Sequence, residues 1–146
     1  MDTRELFARL IKCEAGGEGV DGMRAVATTV MNRVRVDYGE YRRIGMGDLR
    51  RIIEQPCQFS CMKTVIGGAP NPQNVWAMTP DQIHYDIADW AIQNNIFTGT
   101  GDKTLWFMNP FSAQCPRIFP YSGTGYWFTR INLHCFFNPT ARYAET

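Results

Sequence analysis

The run Lys12-Cys13-Glu14-Ala15-Gly16-Gly17-Glu18-Gly19 sets two carboxylates four residues apart around a glycine pair. Glu14 follows Phe7 by seven residues, Leu10 by four and Ile11 by three. On a helix those spacings put its side chain on an apolar stripe. A carboxylate there loses hydration, which disfavours the charged form and raises its pKa. A glutamic acid that keeps its proton near neutral pH can serve as a general acid. The glycines that follow remove side chains where a substrate ring would have to approach. A plainer alternative stays open on spacing alone: Glu14 solvated or paired with Arg33, and the glycines serving only as a helix stop.

Helices must position this carboxylate. Residues 2–14 read as one, capped by Asp2 or Thr3 with Glu5 at the box position, and carrying Leu6, Phe7, Leu10, Ile11 and Cys13 on one face. A second is expected over about 21–36, with Met23, Val26, Ala27, Val30, Met31 and Val34 inward, and a short third over about 47–54. Residues 56–78, with three prolines and Gly67-Gly68, read as a long irregular excursion. Thr79-Pro80-Asp81-Gln82 predicts a further helix start with Thr79 as cap, running to about Ile96. Beyond Gly99, Leu105–Met108 and Phe128–Phe137 are aromatic and short, as extended strands are. The pattern is a helical half followed by an irregular aromatic half, in a single domain over 1–146.

Composition narrows the function. Fifteen basic residues against 14 acidic give a net charge of +1, which argues against a nucleic-acid partner. Four Trp, six Tyr and nine Phe exceed the needs of a small core and suit stacking on sugar rings. No apolar run approaches the roughly 18–20 residues of a membrane span, and the charged start Met1-Asp2-Thr3-Arg4-Glu5 is unlike an export signal. The five cysteines form an odd set with no regular framework, so free thiols in a reducing cytosol are expected.

Several motifs taken together extend this reading. Glu14-Ala15-Gly16-Gly17-Glu18, followed by Ala25-Val26-Ala27 and Val30-Met31-Asn32-Arg33, resembles the opening of the SleB/CwlJ cell wall hydrolases, peptidoglycan hydrolases associated with spore-cortex breakdown at germination. Ile53-Glu54-Gln55-Pro56-Cys57-Gln58-Phe59-Ser60 is similar to that family's Q-P-x-x-F loop. Leu105-Trp106-Phe107-Met108-Asn109-Pro110 and His134-Cys135-Phe136-Phe137-Asn138-Pro139-Thr140 resemble its C-terminal half, the latter closer to the CwlJ branch. The resemblance implies an α+β, mainly α fold of the lysozyme and lytic-transglycosylase kind, with a small irregular aromatic β portion. It places the catalytic acid at Glu14, and leaves Glu18 as either a supporting group or an exposed loop carboxylate. The expected substrate-binding set beside Glu14 is Glu18, Gln55, Gln58, Phe59, Trp106, Phe107, Asn109, Tyr126, Arg130 and His134. It also implies synthesis in the mother-cell cytosol without a signal peptide, deposition at the boundary of spore coat and cortex, and a spore-coat protein as partner.

Each other constellation has a blander counterpart. Cys57, Cys61 and His134-Cys135 lack the paired C-x2-C spacing of a zinc site, so no metal or cofactor is expected. A thiol nucleophile at Cys13 would be opposed by its neighbour Glu14. His134 reads slightly better as a satisfied core histidine than as a substrate ligand. About half of Trp106, Phe107, Tyr126 and Trp127 belong in a core, since strand residues alternate between faces. Gly123-Thr124-Gly125 lacks the lysine of a phosphate loop and reads as a turn. The nearest second carboxylates, Glu18 and Asp21, both miss the Glu14 stripe. The expected chemistry is therefore glycan-strand cleavage of lytic-transglycosylase type with a single catalytic Glu. The rivals are a silent carbohydrate-binding or coat-assembly protein and a metal-dependent peptidoglycan amidase.

Overall fold

The computed structural model describes residues 1–146. The first helix, α1 (Thr3–Ala15), begins at Asp2, whose side chain accepts the Glu5 N–H at 2.8 Å. It buries Leu6, Phe7, Leu10 and Ile11. Gly16 ends it at close quarters, because a Cβ there would lie 2.5 Å from the Lys12 carbonyl oxygen. Gly19, at φ +73°, then turns the chain into α2 (Gly19–Arg35), which starts about two residues before the expected position. Helix α2 is buried along most of its length, from Met23 to Arg33.

A short helix not foreseen in the sequence, α3 (Gly39–Gly45), follows and is closed by Met46 in the left-handed conformation at φ 53°. Glycines at both ends disguise it as a turn. Helix α4 (Leu49–Glu54) is capped by Asp48, and Gln55 before Pro56 ends it. The excursion over 56–78 is irregular as expected, holding two 3-10 turns (Ser60–Met62 and Val75–Ala77) and a minimal hairpin of β1 (Val65–Ile66) and β2 (Ala69–Pro70).

Helix α5 (Gln82–Ile92) corrects the expected start and end. Asp81 is its cap, with the Asp81 N–H donated to His84 Nδ1 at 2.9 Å, and Thr79 lies outside. After it, β3 (Trp106–Met108), β4 (Gly125–Ile131) and β5 (His134–Pro139) form an antiparallel sheet in the order β3-β5-β4. The pairing runs Phe107↔Phe136 and Ile131↔His134, with a bulge between Trp127 and Thr129. Helices and sheet share one core, in which Phe7, Leu10, Val26, Ile52, Phe136, Phe137 and Tyr143 are fully buried.

The cysteines contradict the expectation of five thiols. Cys13 bridges to Cys61 and Cys115 to Cys135, leaving Cys57 free. The partners stand 48 and 20 residues apart in the chain, so no local spacing betrays them and only the fold brings them together.

Candidate active site

The C-terminal turn of α1 forms one wall of an open cleft of about 880 Å³. The Phe59–Cys61 segment stands against it, and Phe107, Met108 and His134 of the sheet complete the enclosure. Glu14 keeps part of its surface in the cleft while its carboxyl sits deep in the wall. Desolvation pushes that carboxyl up from its ordinary 4.5 to about 7, against the smaller opposing effects of the Cys61 backbone N–H and the Arg33 charge. No side chain forms an ion pair or hydrogen bond with it. Arg33, the expected partner of the plainer alternative, is engaged elsewhere. Its Nε donates to the Leu105 carbonyl at 2.7 Å and its Nη1 to Gln58 Oε1 at 3.2 Å, while the guanidinium lies 4.6 Å from the Tyr41 ring centre and 4.9 Å from that of Phe59.

Glu18 has a different environment. Its carboxylate lies 2.9 Å from His134 Nδ1, out of line for a hydrogen bond, and both side chains are about nine-tenths buried. The Leu133 N–H donates to Glu18 Oε1 at 3.2 Å, and Asn132 Nδ2 to the Glu18 carbonyl at 2.6 Å. Asn132 adopts φ 53° at the tip between β4 and β5, so the hairpin tip is fastened onto the Glu18 turn. Burial lowers the His134 pKa, and the Glu18 charge offsets this in part.

The expected substrate-binding set divides. Gln58, Phe59, Phe107, Asn109 and His134 line the cleft with both glutamates. Gln58 has its carbonyl fixed by Arg33 and by the Tyr41 hydroxyl at 2.8 Å, which leaves its NH₂ without a protein partner. Phe59 and Phe107 stack at 6.2 Å, and Phe107 meets His134 edge-on at 5.4 Å. Four others are not at this site. Gln55 is buried and donates to Glu40 at 3.0 Å, facing a separate pocket of about 460 Å³. Trp106 is core, packed against Tyr41 and Tyr143. Tyr126 is exposed on β4 beside Ile118. Arg130 holds down a loop through the Ser112 and Ala113 carbonyls, each at 3.0 Å.

The cleft also contains residues that the sequence did not single out. Lys12 Nζ donates to the Thr79 carbonyl at 2.6 Å and lies 3.4 Å from Asp81. Asp81 and His84 stand on the first turn of α5, and Asn71 and Gln73 come from the excursion. Phe111 is almost fully exposed at the rim. Lys12 was legible as the neighbour of Glu14, but Asn71, Gln73 and Phe111 sit in stretches with no periodicity to orient them.

Known proteins resemble this chain in sequence and in fold. The family model for cell wall hydrolases matches residues 17–137. The chain is 30% identical over 138 residues to the cell wall hydrolase CwlJ of Halalkalibacterium halodurans, covering 94% of this chain and 85% of that one. It is 27% identical to the CwlJ of Bacillus subtilis, covering 97% and 88%. Among solved structures, the catalytic domain of the germination-specific lytic transglycosylase SleB from Bacillus anthracis superposes with a TM-score of 0.65 at 21% identity, covering 93% of each chain. The catalytic domain of the Bacillus cereus SleB protein gives 0.61 at 22% identity, covering 93% of this chain and 89% of that one. These neighbours place the helix-rich architecture with the lysozyme-like folds. This chain belongs to the cell wall hydrolase family.

Proposed function

We propose that this protein cleaves the glycan strands of spore-cortex peptidoglycan, with Glu14 donating a proton to the glycosidic oxygen as the bond breaks. The observation that carries this reading is an unpaired carboxyl on the wall of a sugar-sized cleft, pushed up to about 7 by burial. A binding module has no need of such a group, since holding an unpaired buried acid costs stability. The relatives' names supply the substrate: two are cell wall hydrolases and one a germination-specific lytic transglycosylase. The proposed place of action is the coat–cortex boundary, with a spore-coat protein as its anchor.

The preferred chemistry is lytic transglycosylation. An ordinary glycosidase needs a second free carboxylate about 5–10 Å from the acid. The other carboxylates in the cleft are Glu18, which accepts the Leu133 N–H and lies beside His134, and Asp81, which caps α5 beside Lys12. In the single-acid scheme the sugar's own 6-hydroxyl attacks the anomeric carbon. Its proton passes to the glutamate that has just protonated the leaving oxygen, and a 1,6-anhydro end remains. Asp81 gives hydrolysis a specific basis as the second reading, because it shares the cleft and its side chain is 70% exposed. Mass spectrometry of cortex digested by the purified protein decides: anhydro ends are lighter than hydrolytic reducing ends by one water.

A further inference from the structure

The Cys13–Cys61 bridge joins the residue immediately before Glu14 to the cleft wall opposite. We propose that this bridge is a positioning element for Glu14, so that the oxidised protein is the active form and a dithiol reductant switches it off without unfolding it. The inference rests on Glu14 being the acid.

The opposite wall has little regular structure of its own. Within the excursion, Asn71 Nδ2 serves as an internal hub, donating to the carbonyls of Ser60, Lys63 and Gln73. Attachment to α1 comes at its far end, where Arg9 Nη1 donates to the Val75 carbonyl at 2.8 Å and Lys12 Nζ to that of Thr79 at 2.6 Å. Beside Glu14 itself the covalent tie is the bridge. Phe59 and Cys61, 4% exposed each, line the cleft with Glu14, and the Cys61 N–H faces its carboxyl. Opening the bridge frees that wall to move and admits water to Glu14. In α1 and the core beneath, Phe7, Leu10 and Ile11 are packed with residues of the other elements, and Cys61 belongs to the same cluster.

In the reductive step the Cys13–Cys61 Sγ–Sγ bond breaks and each sulfur ends as a thiol. The dithiol supplies the two electrons and two protons and closes to its own cyclic disulfide. Cys57 offers a thiol that could reshuffle the pair, so the test uses a Cys57→Ser background.

Turnover of cortex fragments is measured for this protein before and after dithiothreitol, with folding followed by near-UV circular dichroism and with reoxidation as the reversal. The same series is run with the second bridge removed (Cys115→Ser/Cys135→Ser) and with the first removed (Cys13→Ser/Cys61→Ser). Reduction is expected to lower turnover about 10- to 100-fold, the scale of a displaced catalytic group. The loss should persist without the second bridge and be already present, and insensitive to dithiothreitol, without the first. The alkaline limb of the pH profile should move down on reduction as Glu14 rehydrates. Its field comes chiefly from Arg33, and Lys12, Glu18, Asp81, His84 and His134 share the cleft. Equal turnover of oxidised and reduced protein overturns the proposal, as does loss of activity that tracks unfolding. If the Cys13→Ser/Cys61→Ser protein does not fold, the dithiothreitol response of the Cys115→Ser/Cys135→Ser protein decides alone. A Glu14→Gln protein with full turnover would instead remove the acid assignment itself.

Discussion

Glu14 and Glu18 lie four residues apart and line the same cleft, yet the protein treats them oppositely. Around Glu14 it has removed side-chain partners: Arg33 is turned to Leu105 and Gln58, and the carboxyl of this half-buried residue meets only the Cys61 backbone N–H. Around Glu18 the carboxylate accepts the Leu133 N–H and stands 2.9 Å from His134 Nδ1, and the Asn132 amide holds the residue's backbone carbonyl. A carboxyl without side-chain partners holds its proton and can give it away. Glu18 instead pins the β4–β5 hairpin tip to the start of α2, its carboxylate accepting the Leu133 N–H and its backbone carbonyl the Asn132 amide. The two ends of one motif thus sit in opposite surroundings, and the proposed chemistry falls to Glu14.

Mutation of each should expose the contrast. The largest effect is expected from Glu14→Gln, which keeps the shape and removes the transferable proton. Turnover should drop at least about 100-fold, the scale of general-acid loss, while the fold survives. Cortex digestion by the purified variant reads this directly.

The next effect is on stability and runs the other way. Below about pH 4.5 the Glu14 carboxyl is neutral in folded and unfolded chains alike. Between there and about 7 the unfolded chain releases the proton that the folded chain retains, so wild-type stability falls as pH rises, and above 7 the penalty is constant. Glu14→Gln escapes it. The variant should be the more stable by up to about 3 kcal/mol at pH 8, with the difference gone at pH 4, as read by denaturant unfolding.

Glu18→Gln should cost less in rate. If the substrate supplies its own nucleophile, only positioning is lost, and a fall of about tenfold or less corresponds to about 1.4 kcal/mol. A loss approaching that of Glu14→Gln, with purely reducing ends in the products, would identify Glu18 as a nucleophile or base. The smallest expected effect is that of chelation. The sulfurs of Cys13, Cys61, Cys115 and Cys135 are committed to bridges. Activity should therefore persist after exhaustive treatment with a chelator, and one zinc per chain lost together with activity would support the amidase instead.

The same contrast explains what the sequence disclosed. The place of Glu14 on the apolar stripe was legible because a helix gives every residue a computable direction, but spacing alone left its role open between a proton donor and a solvated or paired glutamate. Helices α1, α2 and α4 were readable on the same ground. Glu18 was not assignable, since its partners come from a hairpin more than a hundred residues away. Trp106, Tyr126 and Arg130 show the limit for strands: alternation says that faces differ, but not which one meets the cleft. Gln55 sits in a motif beside two cleft residues, yet the turn at Pro56 sends it to Glu40. The bridges were invisible because pairing is a property of three-dimensional proximity, and α3 was hidden between its glycines.

The central claim is the protonation state of Glu14 in the native cleft, and a carbon-13 NMR titration of its side-chain carboxyl, assigned with Glu14→Gln, measures it directly. The expected midpoint is about 7, with turnover falling about tenfold per pH unit above the same midpoint as the proton donor is lost. A midpoint near the ordinary 4.5, with full turnover persisting at pH 8, would show that Glu14 is not the acid.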